Sequence, residues 1–185
     1  MRLKLACALL ALILAPIATP ADAKIYRNAE FGFRALVPPG YPACYPGPDE
    51  HDHGFDFVPD RKAKPNCGVS TGRFISASGF YNVIDDSATL KGDLAFYCGD
   101  KHLKCSEAPA GLKIRGWRSL SGQVRQPDGV IDVHVVVHAG TWPTNPEPQG
   151  ISYDFELQTT PVHYQTDLAM FRAFLKTVRI WRPKD

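Results

Sequence analysis

No Cys-x-x-Cys pair occurs anywhere in these 185 residues. Its absence argues against a thioredoxin-like redox centre and removes the paired spacing on which four-cysteine zinc sites usually depend. Nor is there an excess of charge, since 21 basic residues face 19 acidic ones. A chain so nearly balanced offers no electrostatic case for nucleic acid or for an anionic membrane. Past Ile17 there is no second apolar run of the ~20 residues that span a bilayer, so no stable membrane insertion of the mature chain is expected.

What is present begins with the first 23 residues, MRLKLACALLALILAPIATPADA. Arg2 and Lys4 precede an apolar run from Leu5 to Ile17, and Ala21-Asp22-Ala23 supplies a small-residue cleavage site. This is the layout of a secretory signal peptide, and Pro16 and Pro20 interrupt the run too early for a transmembrane anchor. Residues 1–23 are therefore read as a leader and 24–185 as one mature domain, periplasmic or secreted. A lipid-modified cysteine would follow the apolar segment, whereas Cys7 precedes it and is expected to leave with the leader. Loss of Arg2, Lys4 and Asp22 takes the charged residues from 21 and 19 to 19 and 18, a formal +1.

Four cysteines remain, Cys44, Cys67, Cys98 and Cys105. An even number behind an export signal implies a disulfide framework, with three connectivities possible in principle. The sequence-local pairs, Cys44 with Cys67 and Cys98 with Cys105, are favoured because each closes an irregular stretch between elements.

Phe31, Phe33, Ala35 and Val37 alternate in FGFRALV and predict a strand stopped by Pro38-Pro39-Gly40. A loop-rich excursion follows from Tyr41 to Cys67, with a short strand candidate at 55–58. Residues 73–83, RFISASGFYNV, read as a strand with a possible bulge at Gly79. Asp85, Asp86 and Ser87 offer N-caps for a helix through about Tyr97. Segments 113–126 and 130–141 flank Pro127-Asp128-Gly129 and predict a β-hairpin. Ile131, Val133, Val135 and Val137 share one face of its second strand, and Asp132, His134, Val136 and His138 the other. ISYDFELQT repeats the alternation, as expected of an antiparallel meander. A closing helix over about 166–177 carries Leu168, Phe171, Phe174, Leu175 and Val178 on one side and then gives way to a short tail.

Tyr26 with FGFRALVPPG, the central hairpin, and the F-x-x-F-L-x-x-V-R-I pattern from Phe171 to Ile180 together give a chain that resembles the PsbP-like fold. The resemblance covers nearly all of the mature chain and implies an α+β domain, an antiparallel sheet with helices packed on it. It also implies a non-catalytic accessory or binding protein, and it transfers no functional residue. The acidic-histidine loop and the two disulfides are not part of that pattern.

Gly68-Val69-Ser70-Thr71-Gly72 matches the G-x-S-x-G nucleophile elbow, but it runs into a predicted strand rather than a helix. Asp154 and His163 follow in triad order, so a small serine hydrolase on Ser70 is the enzyme alternative. Asp49, His51, His53 and Asp56 concentrate carboxylate and imidazole suited to a borderline metal, against the plainer reading of a solvated polar loop. A metal-binding protein built on that loop is the third reading. His134 and His138 lie roughly 13 Å apart along a strand, too far to share an ion, and are assigned to a polar sheet face. Trp142, Pro143 and Pro146 open a proline-stiffened loop that either docks a partner or folds back as a lid on the core. The leading expectation is an exported accessory, inhibitor or immunity-type protein that acts on a protein partner, without a cofactor.

Overall fold

The computed structural model describes residues 23–46, 53–63, 72–82, 89–98, 105–141 and 150–182. In chain order the elements begin with β1 (Lys24–Asn28), β2 (Phe33–Val37), β3 (Ala43–Cys44), β4 (Gly54–Phe57) and β5 (Phe74–Asn82). Helix α1 (Leu90–Tyr97) precedes β6 (Ser106–Glu107), β7 (Ser119–Arg125), β8 (Ile131–Thr141) and β9 (Gly150–Thr159). Helix α2 (Tyr164–Leu175) and β10 (Arg179–Ile180) follow.

Seven strands pair in the order β3-β4-β5-β9-β8-β7-β6 and three in the order β1-β2-β10. The pairings are antiparallel, and helices lie against the sheet, giving the expected α+β arrangement. The hairpin forms where the turn chemistry placed it. Gly129 takes φ +90°, which its missing Cβ permits at no steric cost, and Arg125 pairs with Ile131 across the turn. Ile131, Val133, Val135 and Val137 are buried together with Ile151, Tyr153, Phe155 and Leu157. Helix α2 covers this apolar face through Leu168, Phe171, Phe174 and Leu175. Tyr26, Phe33, Ala35 and Val37 of the small sheet join the same hydrophobic cluster.

A buried polar tie crosses this layer. Asp167 of α2 is fully buried, accepting from Arg73 Nε at 3.0 Å and Nη2 at 2.8 Å and from Thr159 Oγ1 at 2.6 Å. Arg73 stands just ahead of β5, so the pair locks the start of a central strand to the first turn of α2.

Several expectations are corrected. β5 runs in unbroken register with β9 through Gly79, so no bulge exists there. Gly79 serves packing instead: a Cβ would stand 2.6 Å from Phe31 Cβ. The register shift falls in β8, between His138 and Gly140. Thr89 caps α1, its Oγ1 accepting from the Gly92 N–H at 3.0 Å; Asp85, Asp86 and Ser87 lie outside the described residues. The first strand of the hairpin starts at Ser119, because residues 114–117 form a turn in which the Trp117 N–H donates to Ile114 O. β1 and β10 were not foreseen as strands. Both owe their form to pairing with β2, which a two-residue strand such as β10 cannot announce by periodicity.

The Cys98–Cys105 disulfide forms as expected. Cys44 is also disulfide-bonded, and Cys67, its expected partner, lies outside the described residues. One disulfide, rather than two, is therefore seen with both ends described.

Candidate functional site

The second face of the large sheet is polar yet buried. β8 contributes Asp132, His134 and His138 to it, and β9 contributes Ser152, Asp154, Glu156 and Gln158. Register puts Glu156 directly opposite His134, with Asp154 opposite Val136 and so diagonal to the imidazole. The His134 Nδ1–H donates to both Asp154 oxygens at 3.2 Å, since a carboxylate only accepts. Ligand atoms of His134, Asp154 and Glu156 all lie within 4.8 Å of one another. Asp132 flanks them, accepting from Gln126 Nε2 at 2.7 Å and Gln158 Nε2 at 3.1 Å. Ser76 stands across from Glu156, and Asp56 across from Ser76, so the row continues as far as β4.

Helix α1 roofs the cluster. Tyr97 lays its ring over His134 with centroids 5.8 Å apart and planes 22° from parallel. Asp93, buried on the underside of the helix, accepts from Ser152 Oγ at 2.7 Å and lies 3.4 Å from His138 Nδ1. The Cys98–Cys105 disulfide pins the far end of α1 onto β7 at Gly122, the residue opposite His134. Any Cβ at Gly122 would overlap the Cys105 and Cys98 sulfurs, so glycine is what lets the roof close. His134 and Asp154 side chains are each left only 7% exposed.

Burial works against charge on His134, but the Asp154 hydrogen bond and the charges of Asp154, Glu156 and Asp132 outweigh it and raise its pKa to about 9. Burial, followed by the charge of Asp154, pushes Glu156 up to about 8, with His134 opposing and Asp132 adding to the rise. Burial also raises Tyr97 and Asp56. The site thus gathers more carboxylate than its one imidazolium can balance, and holds a proton in place of the missing positive charge.

A pH dependence follows. Both folded-state pKa values lie above their unfolded values, so the native chain binds more protons and loses stability as pH rises. The Glu156 contribution fades between about 4.5 and 8, and that of His134 between about 6.5 and 9. Chemical denaturation of metal-free protein is expected to show a loss of several kcal/mol, up to about 6, from pH 6 to 9. An Asp154→Asn, Glu156→Gln variant should flatten that slope. A wild-type slope of zero would refute the assignment.

Ser70, Asp49, His51, Trp142, Pro143 and Pro146 lie outside the described residues. His53 donates from Nδ1 to Gly79 O at 3.1 Å and packs between the rings of Phe31 and Phe80, centroids 5.5 and 5.4 Å away. Asp56 takes its place in the polar row described above. Asp154, read as a triad member with His163, instead pairs with His134, while His163 is exposed ahead of α2. His134 and His138 do line a polar face, as expected, but α1 covers that face. Tyr97, Asp93 and Glu156 were missed as functional. The available signal was that β8 and β9 both carry titratable residues on the face that alternation turns away from the core.

No protein-family model matches the chain, and no curated protein matches it in sequence. Among solved structures it is similar to the solution structure of cyanobacterial PsbP from Synechocystis, at 11% identity and a TM-score of 0.45, over 92% of this chain and 99% of that one. It is also similar to the Ran-binding protein Mog1p of Saccharomyces cerevisiae, at 12% identity and a TM-score of 0.45, over 86% of this chain and 95% of that one. The likeness is a weak one of overall arrangement, the PsbP-like arrangement that the sequence resembled, and it carries nothing about ligand or partner.

Proposed function

We propose that the mature chain is a non-catalytic accessory binding protein of the periplasm or extracellular space that holds a divalent cation at His134, Asp154 and Glu156. The observation carrying the cation reading is the convergence of one imidazole and two carboxylates in a buried, roofed position with surplus negative charge. One nitrogen and two carboxylate donors suit borderline to hard ions such as Zn²⁺ or Mn²⁺, and two carboxylates neutralise a dication. Binding is favoured over catalysis because Tyr97 and α1 close the imidazole side, leaving half-buried Glu156 as the side of approach. Among the described residues no helix is long and apolar enough to cross a membrane.

Binding requires His134 neutral and Glu156 ionised, so uptake should release protons and strengthen as pH rises from 6 to 8. At a free concentration a hundredfold above Kd, a bound ion adds ~2.7 kcal/mol, which for a chain of this length raises Tm by about 5–10 °C. Calorimetric titration of chelator-treated protein with Zn²⁺ and Mn²⁺, alongside thermal melts, measures both. His134→Ala should abolish the heat and the shift. A wild-type protein that neither binds nor is stabilised by either ion would sink the cation reading, while leaving the accessory role to be tested separately.

A further inference from the structure

On the side of the molecule that α2 covers, a groove of about 870 Å³ opens between the turn at residues 111–117 and the α2–β10 corner. Its lining includes Lys113 and Arg115 on one side and Arg172, Lys176 and Arg179 on the other. No described lining residue is acidic, and among the described residues none of the five cations forms an ion pair. Arg172 and Arg179 spend hydrogen bonds on backbone carbonyls, Ala110 O for the first and Lys176 O and Val178 O for the second. Between the cations the apolar surface is that of half-buried Trp117 and the aliphatic stems of the lysines and arginines, over a floor in which Ile114 and Leu175 are themselves buried.

We propose that this groove docks an acidic, partly apolar segment of a protein partner. Charge is the first reason. In a mature chain whose charges nearly cancel, five of the 19 cations stand in one groove with no counter-ion among the described residues, an arrangement that repels itself until a complementary surface arrives. The apolar floor is the second. A ligand that is anionic throughout would desolvate its charges against Trp117 and the aliphatic stems around it, whereas a segment alternating carboxylates with apolar side chains satisfies both. Trp117 and the arginines are residue types that anchor protein interfaces. This proposal stands apart from the cation site, which lies across the sheet.

The test is fluorescence anisotropy of a labelled peptide of alternating glutamate and leucine, titrated with the mature protein in low salt with EDTA present. The other probes are a lysine–leucine peptide, an oligothymidylate of similar length, and phosphatidylglycerol vesicles. The acidic peptide should bind and the basic one should not. The triple reversal Lys113→Glu, Arg115→Glu, Lys176→Glu should weaken binding about tenfold or more, and high salt should do the same. Reversing Lys24, Lys62 and Lys91, which are exposed elsewhere, makes the same change in net charge and should alter affinity by less than about twofold. All three groove positions reversed are exposed, so circular dichroism should match wild type; if it does not, Lys176→Glu alone is read, at about threefold. Absence of acidic-peptide binding, equal loss in both triple variants, or tighter binding of the oligonucleotide or the vesicles would each overturn the proposal.

Discussion

Arg73→Ala is expected to lower the free energy of unfolding by about 3–5 kcal/mol. The loss comes less from the attraction removed than from what remains, a fully buried Asp167 carboxylate whose main charged partner is gone. Thr159 Oγ1 keeps one hydrogen bond to it, and one neutral donor does not replace a bidentate guanidinium. The hydrogen bond to Asp167 is the leading cause of the raised Arg73 pKa, so the arginine stays charged at any accessible pH. Urea denaturation measures the loss, and the double variant Arg73→Met, Asp167→Leu supplies the contrast. With no charge left to bury, it should recover most of the deficit. A single variant within ~1 kcal/mol of wild type would mean that water reaches Asp167 and that the tie is superficial.

Phe174→Ala is the second large effect, again about 3–5 kcal/mol and a fall in Tm of roughly 10 °C. The ring is 2% exposed and meets Phe57 and Phe55 edge-on at 5.5 and 6.0 Å, and Phe171 in a stacked arrangement at 6.5 Å. Those neighbours sit on β4 and on the same helix, so they have little freedom to collapse into the space left behind. Phe174→Leu, which keeps most of the volume, should cost only about 1–2 kcal/mol. Equal losses for alanine and leucine would show that the site relaxes, or that edge-on ring contacts rather than volume dominate.

The two variants also separate the halves of the molecule. Phe174 lies on the α2 side of the large sheet and the His134 cluster on the α1 side, so Phe174→Ala should leave the cation-dependent rise in Tm nearly intact. His134→Ala should do the reverse.

Strand alternation made much of this fold legible. Phe33, Ala35 and Val37, the odd-numbered apolar residues from Ile131 to Val137, and Ile151 through Leu157 repeat at the two-residue period of a pleat, and they are buried as that period requires. The α2 stripe repeats at the helical period and is buried likewise. Even the polar face of β8 was readable, because His134 and His138 fall on the opposite parity from Val133, Val135 and Val137. Missing from the sequence was any sign that this face has a roof. α1 has a short and weakly patterned apolar surface, and the buried residue within it is Asp93, which reads as solvent-facing until Ser152 and His138 are placed beneath it.

The residues by themselves determined the α+β class, the central hairpin and its turn, the two-faced character of β8 and β9, the covering role of α2 and the short Cys98–Cys105 link. Each is written in neighbouring residues, because backbone repeat, turn geometry and loop closure act over a few positions. The tertiary structure alone decided which polar groups meet. His134 finds Asp154 and Glu156 only once β8 and β9 take their register across the intervening loop, and Tyr97 arrives from a separate helix. Lys113 and Arg115 face Arg172, Lys176 and Arg179 only when α2 has packed on the sheet. Register and packing are set by which apolar faces must be hidden from water, a property of the whole chain, so the polar residues brought together on the far side carry no mark of it in their own sequence.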